Sequence, residues 1–96
     1  MFTARISQEI KNGDGFFGSG RVVYFTTHEG QIKYEQYGNK IRRQVDSKGH
    51  TILMQYVKAV TFKSDSTGID IVFELETNGA AWEGEYKWRQ RIASIE

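Results

Sequence analysis

Cysteine and proline are both absent from this chain, and histidine occurs only twice. Without cysteine there is no disulfide framework and no thiolate metal site, so a reducing compartment, the cytoplasm, is expected. Without proline, every turn must be made by Gly, Asn, Asp and Ser, and 10 glycines are available for the purpose. His28 and His50 have no neighbours at ligand spacing, which argues against zinc. No apolar run approaches the length needed to span a bilayer, and the opening MFTARIS lacks the apolar core of a signal peptide. Neither a membrane segment nor a secretory leader is therefore expected. Excess charge of either sign is scarce too, 13 Lys and Arg being set against 12 Asp and Glu. A net charge of +1 fits neither a strongly basic nucleic-acid arm nor an acidic nucleic-acid mimic.

What the sequence does contain is aromatic, glycine-punctuated and alternating. Its 96 residues suffice for one domain with one modest core, and the 14% aromatic share points to β structure. The clearest stretch is Ile69 to Trp88, in which two alternating runs flank Asn78-Gly79. Both turn residues accept a positive φ, so this dipeptide predicts a two-residue hairpin. That loop length fixes the register: Thr77 opposite Ala80, Leu75 opposite Trp82, Phe73 opposite Gly84, Ile71 opposite Tyr86 and Ile69 opposite Trp88. One face then carries Ile69, Ile71, Phe73, Leu75, Trp82, Tyr86 and Trp88 as core material, with the Phe73 ring over the bare Gly84 backbone.

The remaining elements follow from the same signals. Phe2 to Ile10 begins with strand-like alternation, although Phe2, Ile6 and Ile10 also recur at helical spacing; a strand is expected. Lys11 to Gly20 reads as a glycine-rich loop or bulge. Gly13, Gly15 and Gly18 fit a phosphate-cradle spacing, but the β-branched and aromatic run after them offers no helix N-terminus to meet a phosphate. Arg21 to Thr27 is apolar on both faces and is expected to be a covered strand, closed by a three-residue turn at His28-Glu29-Gly30. Gly38-Asn39 predicts a second two-residue turn, setting Glu35 opposite Arg42 and Ile32 opposite Val45. Asp46 to Gly49 marks a further turn. His50 to Lys63 is too long for one straight strand, so a bend is expected between Gln55 and Lys58. Ile92 to Ile95 reads as a short closing strand. The sum is an all-β chain: an antiparallel meander of about seven or eight short strands, curled into a small barrel or roll of SH3-like or OB-like form.

No arrangement of nucleophile, base and metal ligand recurs here, so no enzyme activity, cofactor or metal is expected. The expected role is a binding module for a protein partner, either an adaptor or an inhibitor. Two surfaces qualify. One is the glycine-rich loop with Asp14, Phe16 and Phe17, where two rings stand on a flexible tip. The other is the acidic face of the central hairpin, with Glu74, Glu76, Glu83 and Glu85, in which Glu74 and Glu83 are set directly opposite each other. The alternative is a binder of single-stranded nucleic acid, RNA in particular. It would use Lys40, Arg42, Arg43, Lys48, Arg89 and Arg91 as cations and Tyr37 as a stacking ring. Arg43 is in phase with Ile41 and Val45, so it either snorkels at a rim or pairs with a carboxylate. An open sheet edge also makes a homo-oligomer a natural expectation.

Overall fold

The computed structural model describes residues 4–89. One short helix, α1 (Ala4–Lys11), precedes eight strands: β1 (Asp14–Gly20), β2 (Val22–Thr27), β3 (Gly30–Tyr37), β4 (Lys40–Val45), β5 (Lys48–Gln55), β6 (Val57–Ser64), β7 (Gly68–Thr77) and β8 (Ala80–Arg89). All eight strands form one antiparallel sheet in the order β5-β4-β3-β2-β1-β6-β7-β8, curled into a half-barrel with β5 and β8 at its two ends. The fold is the small all-β, barrel-like architecture that the alternating runs predict.

The turn chemistry sets the register as expected. Asn78 and Gly79 have φ of 50° and 79°, and β7 pairs with β8 from Thr77–Ala80 through Ile69–Trp88. A Cβ added to Gly84 would come within 2.5 Å of the Phe73 ring, so only glycine lets that ring lie flat on the strand. Gly38 has φ 61°, and its turn places Glu35 opposite Arg42 and Ile32 opposite Val45. The bend falls at Tyr56, between β5 and β6, with φ 63°.

Three local expectations are corrected. The segment expected as a strand from Phe2 to Ile10 is the helix α1 over residues 4–11, Phe2 itself lying outside the described residues. The helical spacing of Ile6 and Ile10 wins because one apolar stripe is what the concave sheet face needs as a cover; both side chains are buried. Asn12 and Gly13 stop the helix, with Gly13 donating its N–H to the Ile10 carbonyl at 3.0 Å. The stretch expected as a loop from Lys11 to Gly20 is strand β1 from Asp14 onward, with a bulge between Asp14 and Phe17. Ladder bonds need only backbone, and β1 joins β2 to β6 through Ser19–Lys63 and Gly20–Phe62. The turn after β2 has two residues rather than three, since Thr27 pairs with Gly30. The strand expected over Ile92 to Ile95 lies outside the described residues.

The core occupies the concave face. Val23, Phe25, Ile32, Tyr34, Ile41, Val60, Phe62, Ile69 and Ile71 are buried there, together with Ile6 and Ile10 of the helix. Phe25 packs edge-on to Tyr34 at 5.2 Å between ring centroids. An eight-residue helix is about 12 Å long, whereas the molecule extends 54 Å along its longest axis. The helix can therefore cover only part of the concavity.

Candidate functional site

At the covered part, the helix is locked down by charge as well as by apolar packing. Arg43 on β4 is the one buried charged side chain among the described residues. Its Nε donates to Glu9 Oε1 at 2.8 Å and its Nη2 to Glu9 Oε2 at 2.6 Å, a two-pronged grip on the helix. Nη2 also donates to Glu29 Oε1 at 3.1 Å, and the Tyr34 hydroxyl donates to Glu9 Oε1 at 2.6 Å. Burial by itself raises the pKa of the Glu9 carboxyl. The hydrogen bonds from Arg43 and Tyr34, and the charges of Arg43 and Arg5, more than offset it, so Glu9 titrates below its ordinary range. Burial, then the bond to Glu9, pushes the Tyr34 phenol far above its usual value. Both oxygens of the Glu9 carboxylate are thus bonded within the fold. The work of the cluster is to hold α1 on the sheet, and a small cavity of about 250 Å³ beside it is lined by Arg5, Gln8, Glu9, Asn12, Thr27, His28 and Glu29.

A different surface lies at the Tyr56 corner. There the end of β5, the corner itself and the turn end of β7 and β8 enclose an apolar groove of about 360 Å³ lined by Ile52, Leu53, Met54, Gln55, Tyr56, Leu75, Thr77 and Trp82. Tyr56 is 55% exposed and Trp82 54% exposed. Trp82 was expected in the core on its alternation; it is on the concave side, but the half-barrel is open at this point and its ring stands at the rim. The corner is firmly built. The Tyr56 carbonyl accepts the Glu76 N–H at 2.9 Å, and Val57 donates to the Asn39 carbonyl at 2.8 Å. Tyr56 nevertheless has a left-handed φ, which for a bulky side chain is an outlier that glycine would adopt freely. Sequence reading located the bend but not the groove, because the lining residues come from segments joined only by the sheet's curl. The available signal was an aromatic at the break between two alternating runs.

The sequence-predicted residues are distributed as follows. The Phe16 and Phe17 pair is split by strand alternation: Phe16 packs on Phe25 at 5.2 Å and on Trp88 at 5.5 Å, whereas Phe17 is 69% exposed. Asp14 is exposed and accepts the Gly15 N–H at 2.9 Å. Glu76, Glu83 and Glu85 are exposed on the convex face, with Glu74 half-buried beside them and directly opposite Glu83. Among the described residues no three His, Asp or Glu side chains are grouped so as to hold a metal ion.

The cations proposed for nucleic acid do not converge. Arg43 faces the core. Arg42 is bound to Glu35, with Nε to Oε2 at 2.9 Å, and stacks on the Tyr37 ring at 4.1 Å. Lys40 bonds Asn39 at 3.0 Å, and Lys48 lies at the far end of β5. Arg89, at the opposite end of the sheet, meets Asp70 at 3.0 Å. Arg91 lies outside the described residues.

Residues 1–80 match the family model described as Putative Competence protein ComGF, and the chain belongs to that family. Comparison with curated protein sequences and with solved structures gave no match. No helix among the described residues is long and apolar enough to cross a membrane.

Proposed function

We propose that this chain is a non-catalytic, protein-binding subunit of a competence assembly, of a pseudopilin-related kind. The family to which it belongs supports the competence role. The observation that carries the binding role is the Tyr56 corner, where two exposed aromatic side chains flank half-buried Ile52, Leu53 and Leu75 around one groove. Holding an exposed tyrosine at a left-handed φ costs stability on the order of 1 kcal/mol or more, and such strain is typical of residues kept for contact rather than for folding. Exposed aromatics beside aliphatic pockets are also the usual anchors of protein interfaces. The partner is a protein of the same assembly that inserts an apolar segment between Tyr56 and Trp82.

The test is genetic and biophysical together. Replacing Tyr56 and Trp82 by alanine in the natural host is expected to lower transformation frequency at least tenfold. The purified double variant should melt within a few degrees of the parent, because both side chains are more than half exposed. Normal transformation by a stable, normally expressed variant would remove the groove from the function.

A further inference from the structure

Strand β8 ends the sheet, and no described residue forms a strand on its outer side. Its backbone phase follows from a single bond. Glu76 sends its N–H to Tyr56, toward the β6 side of β7, so the even-numbered residues of β7 face β6 and the odd-numbered ones bond β8. With Leu75 opposite Trp82 and Phe73 opposite Gly84, the even-numbered residues of β8 return those bonds. Glu83, Glu85, Lys87 and Arg89 therefore turn their N–H and C=O groups outward. The other end of the sheet is unlike this. The pairing of β5 with β4 is interrupted twice, between Ile41 and Arg42 and between Arg43 and Val45, the kind of irregularity that spoils an edge for strand addition. β8 pairs with β7 in unbroken register over all ten residues.

The side chains of those same four residues are exposed on the convex face, and their charge changes sign halfway along: Glu83 and Glu85, then Lys87 and Arg89. An edge of one sign repels its own copy. An edge whose sign reverses is complementary to itself when the second strand runs antiparallel.

We propose that β8 pairs antiparallel with β8 of a second copy of this chain, about a two-fold axis at Tyr86, so that two half-barrels share one continuous sheet. In this register Glu85 lies opposite Lys87 of the second copy and Glu83 opposite its Arg89, each contact occurring twice by symmetry. The residues so paired are those with outward-turned backbone groups, so ladder bonds and charge pairs coincide. On the concave side Gly84 comes opposite Trp88 of the second copy, again a ring over bare backbone. A slip of two residues would set Glu85 against Glu85 or Lys87 against Lys87, so charge selects one register. Within one chain Lys87 already lies 3.7 Å from Glu85, and Arg89 is shared between Asp70 and Asp65. Pairing across the edge adds a second carboxylate to Lys87 and a third to Arg89, and it places a cation beside Glu83, which in its own hairpin faces Glu74.

This inference stands apart from the competence role and is tested on the purified chain by sedimentation equilibrium at low salt. The wild type is expected to pass from 11.1 kDa to twice that mass as concentration rises. Glu85→Lys and Lys87→Glu, each exposed and each checked for an unchanged melt, should weaken self-association roughly tenfold or more, since each turns two attractive cross-strand pairs into repulsive ones. Mixing the two variants should produce a heterodimer, because positions 85 and 87 are both lysine in one variant and both glutamate in the other, and the Glu83–Arg89 pairs stay attractive. Combining both substitutions in one chain should restore the homodimer. A wild type that keeps the mass of one chain at about 1 mM, the weak limit of specific association, overturns the proposal. So does a dimer indifferent to both single reversals, or a mixture that fails to associate.

Discussion

The two parts of the concave face solve the same problem in opposite ways. Where α1 docks, Ile6 and Ile10 are buried and Arg43 ties the partly buried Glu9 to the sheet. At the Tyr56 corner, half-buried Leu53 and Leu75 and exposed Tyr56 and Trp82 line an apolar groove on which no element of the described chain docks. The covered end is built for stability. The open end keeps a strained backbone and two exposed rings, the surface on which the proposed protein contact rests.

The contrast can be broken most severely at Arg43. Arg43→Ala leaves Glu9 buried next to the Tyr34 hydroxyl without its cation, and the expected loss is about 3–5 kcal/mol, measured as a shift in the urea midpoint. Ile10→Ala should cost about 2–5 kcal/mol by opening a cavity beneath the helix. If both changes leave the midpoint in place, the helix is not a structural part of the core.

Acid offers a milder route to the same lock. Glu9 is held below its ordinary pKa, so its ionised form stabilises the fold at every pH above the range in which the unfolded carboxyl titrates. That contribution is lost as the pH falls through the lower, folded-state value. Stability should therefore drop on acidification, and Glu9→Gln should flatten part of that slope. An identical pH profile for the variant, followed by urea titrations from pH 7 to pH 3, would count against the lock.

At the open end the expected effects on folding are small. Trp82→Ala should change stability by less than about 1 kcal/mol, in contrast to a buried tryptophan. Tyr56→Gly should be neutral or stabilising by up to ~1 kcal/mol, since glycine adopts the left-handed corner without strain. A loss of 3 kcal/mol at either position would mean that the corner is core rather than contact surface. The smallest effect is expected for nucleic acid. With Arg43 buried and Arg42 and Arg89 at opposite ends of the sheet, single-stranded RNA should bind no tighter than about 10 µM at physiological salt, the range of non-specific association. Submicromolar, salt-sensitive binding would restore the nucleic-acid alternative.

Where the sequence was explicit, its signals were local and steric. Asn78-Gly79 and Gly38-Asn39 permit few backbone paths, and a two-residue turn leaves one register, so every partner along the central hairpin could be written down beforehand. The helix was harder, because six or seven residues after the N-terminus satisfy both a strand and a helix period, and tertiary demand for a cover chose between them. Phe16 and Phe17 could not be assigned to core or surface until β1 was known to be a strand. The groove was illegible for a deeper reason: Leu53, Leu75 and Trp82 come from strands whose nearness depends on how far the sheet curls.

The sequence by itself determined the β character, the turns at Asn78-Gly79 and Gly38-Asn39 with the registers they set, and the reversal of charge along Glu83 to Arg89, since each follows from the φ preferences and side-chain alternation of neighbouring residues. Only the tertiary structure decided that Arg43 is a buried lock rather than a free cation, and that Trp82 stands at an open rim. It also decided that no described strand pairs with the outer edge of β8. Those outcomes depend on which strands become neighbours and on how much of the concavity a single short helix can cover, and no stretch of consecutive residues encodes either.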